Sequence, residues 1–194
     1  MSARAAMPMS AEEFLEWGLH QELRHELVDG VPVAMAGAKR RHDQIVANIH
    51  GTLFSQLRGK TCRNFTADTA VRIPAGNIRR PDAGIDCGLF DDDATTADAP
   101  FLVMEVLSPS TREFDRFRKL EEYKTVPSLA HIVLIDPDLP QVFHWSRLPG
   151  GEWRHALLEG LEAVIRLLEI DCAVELSVLY DRLTFRLLPR LVRE

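Results

Sequence analysis

One stretch carries most of the information about the fold: Phe101-Leu-Val-Met-Glu-Val-Leu107, followed by Ser-Pro-Ser-Thr111. A nearly unbroken apolar run of this length is typical of a central strand that is buried on both faces of a sheet. The run contains a single acidic residue, Glu105. A carboxylate in an apolar strand is costly unless a cation, a proton or an opening to solvent compensates it. Glu105 therefore predicts either a functional site or an ion pair with an arginine.

The segments around this strand predict a mixed α/β architecture. Apolar residues that recur every three or four positions indicate helices, and short apolar runs that end at turn residues indicate strands. The predicted helices cover residues 10–19, 41–58 and 176–183, and a further helix has the apolar stripe Phe114, Phe117, Leu120 and Tyr123. The predicted strands cover residues 26–33 (two strands around an Asp-Gly turn), 64–73, 84–90, 101–107, 131–135, 142–146, 153–158 and 163–168. We expect one α/β domain with a mixed central sheet, helices on its faces and hairpins at its edges.

Composition restricts the class of protein. The 194 residues are 46% hydrophobic and 27% charged, without a secretory leader or an apolar run of the roughly 20 residues that cross a bilayer. We therefore expect a cytoplasmic protein without membrane contact. The net charge of −6 disfavours a general nucleic-acid binder but not an enzyme that meets phosphates at one site. The three cysteines (Cys62, Cys87 and Cys172) are expected to be small buried residues rather than a disulfide scaffold.

A second carboxylate is expected beside Glu105. Asp82 follows Pro81 at the start of the preceding predicted strand, and neighbouring strands lie about 4.8 Å apart. Two carboxylates at that spacing can share one cation, and hard oxygen ligands with open water positions favour Mg²⁺ or Mn²⁺ over zinc. The two acidic residues therefore predict a metal site at this edge of the two strands.

A lysine on the following predicted helix, Lys119, is the third candidate residue of the site, after Asp82 and Glu105. Asp115 and Lys119 are four residues apart, on the face expected to lie away from the apolar stripe. A lysine near metal-bound carboxylates can orient an attacking water and offset the charge of a pentavalent phosphate. The alternative is a surface ion pair between Asp115 and Lys119, which would contribute only a few tenths of a kcal/mol.

The order of these residues resembles the Uma-type endonuclease family, part of the PD-(D/E)XK restriction-endonuclease-like superfamily. The resemblance covers residues 10–180 and implies a restriction-endonuclease-like core at about 10–183 within a single domain of residues 1–194. The matching motifs are Pro81-Asp82, Glu105-Val-Leu-Ser-Pro-Ser-Thr, Asp115-xxx-Lys119-xxx-Tyr123, Glu26-Leu-Val-Asp29-Gly30, His42 and Ile135-Asp136-Pro137.

The resemblance implies a role for each acidic and basic residue of the site. Asp82 would bridge the metal, Glu105 would be the second acidic ligand, and the carbonyl of Val106 would be a further ligand. The simplest superfamily pattern places the lysine where this chain has Leu107, so the lysine role would pass to Lys119.

Three further residues receive accessory roles from the resemblance. Glu26 would be an accessory ligand or else a strand glutamate beside a turn. His42 would touch substrate phosphate or water, or else be structural at the start of its helix. Asp115 would be an accessory residue of the Asp115-xxx-Lys119 motif.

The resemblance implies a nuclease that depends on Mg²⁺ or Mn²⁺ and hydrolyses phosphodiester bonds of nucleic acid. The expected substrate is DNA, and the expected assembly is a homodimer. Arginines near the site would engage flanking phosphates, namely Arg79, Arg80, Arg112 and Arg116. One alternative is an inactive nucleic-acid or protein binding module on the same fold, which the acidic charge and Leu107 favour. Another is a hydrolase of a different phosphate ester. An intact set of Asp82, Glu105 and Lys119 favours the enzyme.

Overall fold

The computed structural model describes residues 8–107 and 115–185, with the backbone alone for residues 115 and 116. Its helices are α1 (Ala11–Gly18), α2 (Arg40–Leu57), α3 (Leu120–Lys124) and α4 (Leu176–Leu179), with a π-helical turn at Asp115–Lys119 and a 3-10 turn at Leu168–Ile170. Its strands are β1 (His25–Val28), β2 (Val31–Ala34), β3 (Arg63–Thr66), β4 (Val71–Arg72), β5 (Ile78–Arg79), β6 (Ala83–Asp86), β7 (Pro100–Val106), β8 (His131–Asp136), β9 (Gln141–Arg147), β10 (Trp153–Glu159), β11 (Val164–Leu167) and β12 (Cys172–Glu175). None of the described helices is long and apolar enough to cross a membrane.

A mixed six-stranded sheet in the order β10-β9-β8-β7-β6-β3 forms the centre of the fold. The β7–β8 pair is parallel, and the other neighbours are antiparallel. Helices cover both faces, and the β9–β10 hairpin lies at one edge as predicted. The predicted mixed α/β fold is confirmed.

Strand β7 is buried on both faces, which explains its nearly continuous apolar sequence. Leu102, Met104 and Val106 pack with the apolar stripe of α2. Val103 and Leu107 pack on the other face with the residues of α3. Because successive side chains of a strand alternate between faces, Glu105 points to the α3 side. The sheet therefore presents its one buried glutamate to the helix that carries Lys119.

A smaller sheet in the order β2-β1-β5-β4 brings a second glutamate towards α3. The β1–β2 hairpin turns at Asp29 and Gly30, both with positive φ, as the Asp-Gly signal predicts. Leu27 packs with Ile78 in a separate apolar cluster. Glu26, the next residue along β1, therefore points to the opposite face of this small sheet.

Three local predictions need correction. The predicted strand 64–73 is divided between β3 and β4, which belong to different sheets, and the predicted helix 176–183 ends at Leu179. In the predicted stripe after residue 107, Leu120 and Tyr123 are buried but Phe117 is 65% exposed. The π-helical turn accounts for this difference, because its extra residue per turn shifts the positions that face the core.

Two cysteines form a disulfide, contrary to the prediction that all three are free. Cys62 precedes β3, Cys87 follows β6, and the register Arg63↔Asp86 places the two cysteines opposite each other. Cys172 is free and buried as predicted, and burial raises the pKa of its thiol.

A chain of two histidines and a glutamate attaches the β11–β12 hairpin to the central sheet. His131 Nε2 lies 3.2 Å from Oε2 of Glu169, and His131 Nδ1 lies 3.0 Å from Nε2 of His144. Because an ionised carboxylate only accepts, Nε2 of His131 carries the hydrogen, and Nδ1 of the neutral ring accepts from His144. The arrangement therefore requires a neutral His131, and it excludes protonation of both rings at once because two N–H groups would then face each other.

We expect acid to destabilise the fold through His144. Burial, with the neighbouring His131, lowers the pKa of His144 from 6.5 to about 4. The unfolded chain then binds a proton that the folded chain lacks, so the stabilisation is present above pH 6.5 and is lost as the pH falls to about 4. The expected loss is up to about 3 kcal/mol of unfolding free energy.

Urea unfolding at pH 7 and pH 4.5 measures this loss. The variant His144→Gln should show a flatter pH dependence, whereas His20→Gln, at an exposed position, should match the wild type. An unchanged pH dependence in His144→Gln would contradict the assignment.

Candidate active site

Asp82 and Glu105 lie across from each other on adjacent strands, as the sequence predicts. Strands β6 and β7 pair with Ala83 opposite Met104, so Asp82, the residue before β6, comes opposite Glu105. The backbone N–H of Val106 donates a hydrogen bond of 2.8 Å to Oδ2 of Asp82. The carboxylate of Asp82 is thus fixed at the end of β7.

Glu105 is only 4% exposed, and two donors from α3 and its preceding turn satisfy its carboxylate. The hydroxyl of Tyr123 donates to Oε1 at 2.7 Å, and Nζ of Lys119 donates to the same oxygen at 3.2 Å. Burial first, and then the charges of Glu105 and Glu26, raise the pKa of Tyr123 well above 10. Tyr123 therefore stays a neutral hydrogen-bond donor to Glu105.

Lys119 lies between two buried carboxylates. Its Nζ is 3.1 Å from Oε1 of Glu26 and 3.2 Å from Oε1 of Glu105, and the side chain is 8% exposed. The sequence placed Lys119 on the outer face of its helix, away from Tyr123. The structure corrects this: the two residues are four apart, share a face and contact the same oxygen of Glu105.

Arg79 is not a phosphate-binding residue, contrary to the prediction. It is 0% exposed and its guanidinium binds Oε2 of Glu26 at 3.1 Å and Oε2 of Glu122 at 2.5 Å. Burial alone would lower the pKa of Arg79, but the Glu122 hydrogen bond and the charges of Glu26 and Glu122 raise it overall. Arg79 therefore connects the strand that carries Glu26 to the helix that carries Lys119.

Arg80 is half-buried, and its guanidinium contacts the main chain of neighbouring segments. Its guanidinium donates to the backbone carbonyls of His25 (3.1 Å), Ala67 (3.2 Å) and Asp68 (2.5 Å). Its own backbone N–H donates to Oε1 of Glu26 at 2.9 Å. These carbonyls take Nε and Nη1 of Arg80, and its predicted phosphate contact stays a prediction.

Glu122 is a site residue that the sequence analysis missed. Besides Arg79 it accepts hydrogen bonds from Asn77 (2.9 Å) and Arg118 (3.2 Å), and Arg118 also binds Asp29 at 2.6 Å. The only available signal was the four-residue spacing of Arg118 and Glu122, which is equally typical of a surface pair. These contacts hold α3 against the smaller sheet.

Two histidines of α2 contact Asp82 in different ways. Nε2 of His42 lies 3.2 Å from Oδ2 of the Asp82 carboxylate. Burial lowers the pKa of His42, but the hydrogen bond and charge of Asp82, with smaller contributions from Asp43 and the backbone of Val106, raise it overall.

His50, two turns further along α2, contacts the main chain instead. Its Nε2 lies 3.2 Å from the backbone carbonyl of Asp82, and its Nδ1 lies 3.3 Å from Nδ2 of Asn64. Since the amide nitrogen of Asn64 donates to Nδ1, the hydrogen of the ring sits on Nε2 and points to Asp82. His50 had no role in the sequence analysis.

Comparison with known proteins places the chain in a family. Residues 11–178 match the Uma2 family, which is described as "Putative restriction endonuclease". The chain belongs to this family. It is 30% identical over 181 residues to uncharacterized protein slr1290 of Synechocystis sp., covering 91% of this chain and 94% of the relative. It is 26% identical over 161 residues to uncharacterized protein sll1609 of the same organism, covering 81% and 91%.

The Uma2 chain also resembles a solved structure, described as a putative nuclease belonging to DUF820 from Anabaena variabilis. The TM-score is 0.72 with 17% sequence identity, and the match covers 89% of this chain and 98% of the other. At that identity the likeness shows the fold alone. Together these matches confirm the family resemblance and the fold that the sequence predicts.

The donor set of the Uma2 site fits a hard divalent cation. Within residues 8–107 and 115–185, the side-chain contacts of Asp82 are the N–H of Val106 and Nε2 of His42, so its carboxylate keeps lone pairs for a cation. In the same ranges no three His, Cys, Asp or Glu side chains form a group that could hold a metal ion. Oε1 of Glu105 contacts Lys119 and Tyr123. Mg²⁺ usually keeps several waters, so two carboxylates and a carbonyl suffice as protein ligands.

Three predicted site residues lie outside the described part of the chain. Arg112 falls between residues 107 and 115, and the side chains of Asp115 and Arg116 are not described. Their predicted roles stay predictions. Glu26, by contrast, is brought into the site, although its two oxygens already bind Lys119, Arg79 and the backbone of Arg80.

Proposed function

We propose that this Uma2 protein is a divalent-metal-dependent nuclease that hydrolyses phosphodiester bonds, with DNA as its substrate. The observation that carries the proposal is the position of Lys119, whose ammonium group contacts both Glu26 and Glu105. Glu105 lies opposite Asp82 in the register of β6 and β7. The family description, a putative restriction endonuclease, supports a hydrolase of nucleic acid. The relative of similar fold is likewise described as a putative nuclease.

The residues that would hold the cation are Asp82, Glu105 and the carbonyl of Val106. Mg²⁺ or Mn²⁺, when bound there, would polarise a phosphate oxygen and lower the pKa of a bound water. The Val106 N–H holds the Asp82 carboxylate at the end of β7, and Tyr123 holds the Glu105 carboxylate beside α3. These contacts preorganise both acidic groups before substrate arrives.

Lys119 is the group that we assign to the reacting phosphate. An ammonium group beside the Glu105 carboxylate can orient the attacking water and stabilise the charge that develops on the phosphate. Glu26 and Arg79 position it: Glu26 contacts Lys119 directly, and Arg79 binds Glu26 and Glu122 at once. Their role is to direct Lys119, so Glu26 is assigned here as a positioning residue rather than a metal ligand.

Three finer expectations accompany the proposal. A homodimer would allow the enzyme to reach both strands of a duplex, the expected location is the cytoplasm, and residues 1–194 are expected to form one nuclease domain. These stay predictions.

The variant Asp82→Asn tests the proposal. We expect it to lose most of its Mn²⁺ binding in a calorimetric titration, and to lose Mg²⁺-dependent cleavage of DNA, because the amide removes the anionic ligand. Asp68→Asn is a matched control, since Asp68 is an exposed carboxylate whose partner is Arg24.

Two results would contradict the proposal. Unchanged Mn²⁺ affinity in Asp82→Asn would move the metal site elsewhere. A wild-type protein that binds nucleic acid but cleaves neither DNA nor RNA in Mg²⁺ or Mn²⁺ would favour the binding module instead.

A further inference from the structure

The imidazole of His42 lies beside a carboxylate that the proposed function assigns to a cation. Its Nε2 is 3.2 Å from Oδ2 of Asp82, and the ring also forms a hydrogen bond with the backbone of Val106. A nitrogen and a carboxylate thus lie in contact where the start of α2 meets the residue before β6, with the backbone at the end of β7 beside the ring.

We propose that His42 is a nitrogen ligand of the bound cation, through Nε2, and that the site therefore prefers Mn²⁺ or another first-row transition ion to Mg²⁺. The inference rests on the proposed function for the existence of a cation on Asp82. It goes beyond that function by adding a protein ligand and a metal preference.

The spacing of the donors agrees with coordination of one ion. Neighbouring ligand atoms around an octahedral cation with bonds of about 2.1–2.3 Å are about 3.0–3.2 Å apart. The distance between His42 Nε2 and Asp82 Oδ2 is 3.2 Å, and the two side chains are 18% and 15% exposed, so an ion from solvent can reach them. Imidazole favours transition ions, whereas Mg²⁺ favours oxygen ligands throughout.

His50 is a second histidine near Asp82, and its contacts are those of a structural residue. It contacts the backbone carbonyl of Asp82 instead of the carboxylate, and its second nitrogen is held by Asn64. Both histidines lie on α2 and both contact Asp82, yet only the ring of His42 faces the carboxylate that would bind metal. His50 is therefore the natural control.

Electron spin-echo spectroscopy of the Mn²⁺-loaded protein tests the proposal. Directly bound imidazole modulates the echo through its ¹⁴N nucleus, so we expect this modulation in the wild type and in His50→Gln but not in His42→Gln. Growth on ¹⁵N-labelled histidine should replace the ¹⁴N pattern in the wild type. This arm identifies imidazole even if His42→Gln fails to fold.

Calorimetric titration provides the second readout. We expect His42→Gln to raise the Mn²⁺ Kd about tenfold or more while the Mg²⁺ Kd changes by less than about threefold, a loss comparable to that of other residues that tune a metal site. His50→Gln should leave the ratio of the two Kd values unchanged.

The outcomes separate this inference from the proposed function. Mn²⁺ bound to wild type without nitrogen modulation, with equal metal selectivity in His42→Gln, would overturn the role of His42. If Asp82→Asn still abolished binding and cleavage in that case, the proposed function would stand. A wild type that binds no Mn²⁺ and cleaves nothing would overturn both.

Discussion

Lys119→Ala is expected to lower the rate of phosphodiester cleavage by about 10²–10³, because it removes the cation that faces the developing charge on phosphate. A loss of that size corresponds to about 3–4 kcal/mol of transition-state stabilisation. Single-turnover cleavage of labelled DNA in Mg²⁺ measures it directly. The variant must be compared below its unfolding temperature, since Glu26 and Glu105 lose a shared buried partner.

Lys124→Ala is the matched control for this prediction. Lys124 lies five residues later, which rotates it about 140° around an α-helix, and its partner is the exposed Glu121. We expect its cleavage rate to remain at the wild-type level. Equal activity of the two lysine variants would reject the assignment of Lys119.

Arg79→Met is expected to lower the free energy of unfolding by about 3–5 kcal/mol. The substitution preserves much of the side-chain volume but leaves Glu26 and Glu122 without the buried cation that both contact. Breaking a buried ion pair by removing one partner is costly for this reason. Denaturant unfolding at pH 7 measures the change.

Two further variants make this test specific. Arg72→Met removes a surface pair with Glu12 and should cost at most about 1 kcal/mol. The double variant Arg79→Met/Glu122→Gln should recover part of the lost stability, because it also removes the negative charge of Glu122, which the single variant leaves without its arginine partner. A loss below about 1 kcal/mol in Arg79→Met would contradict the view that this arginine organises the site.

The core of the fold could be predicted from the sequence because buried faces of helices and strands carry apolar residues at regular intervals. The apolar run of β7 and the four-residue recurrence of Ile45, Ile49 and Leu53 in α2 report which faces are covered. Glu105 is the one acidic residue in the apolar run of β7, and this exception indicated the candidate site. A residue that violates its local pattern is informative because its cost must be compensated nearby.

The basic residues could not be assigned from sequence in the same way. Arg79 lies beside the Pro81-Asp82 motif. At such a position the sequence alone does not distinguish an arginine that contacts phosphate from one in a buried ion pair. Only the packing of β5 between Glu26 and Glu122 distinguishes the two, and those partners are 53 and 43 positions away. The disulfide of Cys62 and Cys87 was missed for a similar reason, since it depends on the register of β3 and β6.

The orientation of Lys119 was predicted wrongly for a different reason. Four apolar positions were treated as one stripe, although Lys119 lies four residues before Tyr123, a spacing that puts both side chains on one helical face. The π-helical turn at residues 115–119 adds to the difference, because it moves Phe117 out of that stripe. Such turns are inserted by one extra residue, carry no clear sequence signature and are frequent at functional sites. The structure exposes Phe117, which the sequence analysis assigned to the apolar stripe, and buries Lys119 beside Tyr123.

A cation bound by both Asp82 and Glu105 is the central feature of the proposed site, and a crystal soaked in Mn²⁺ tests for it directly. We expect an anomalous difference peak within about 2.3 Å of a carboxylate oxygen of Asp82, with Glu105 turned to the same ion and Lys119 remaining beside it. Soaked Asp82→Asn crystals should lack the peak. A wild-type crystal in which Mn²⁺ binds elsewhere, while Glu105 stays bonded to Lys119 and Tyr123, would contradict the account.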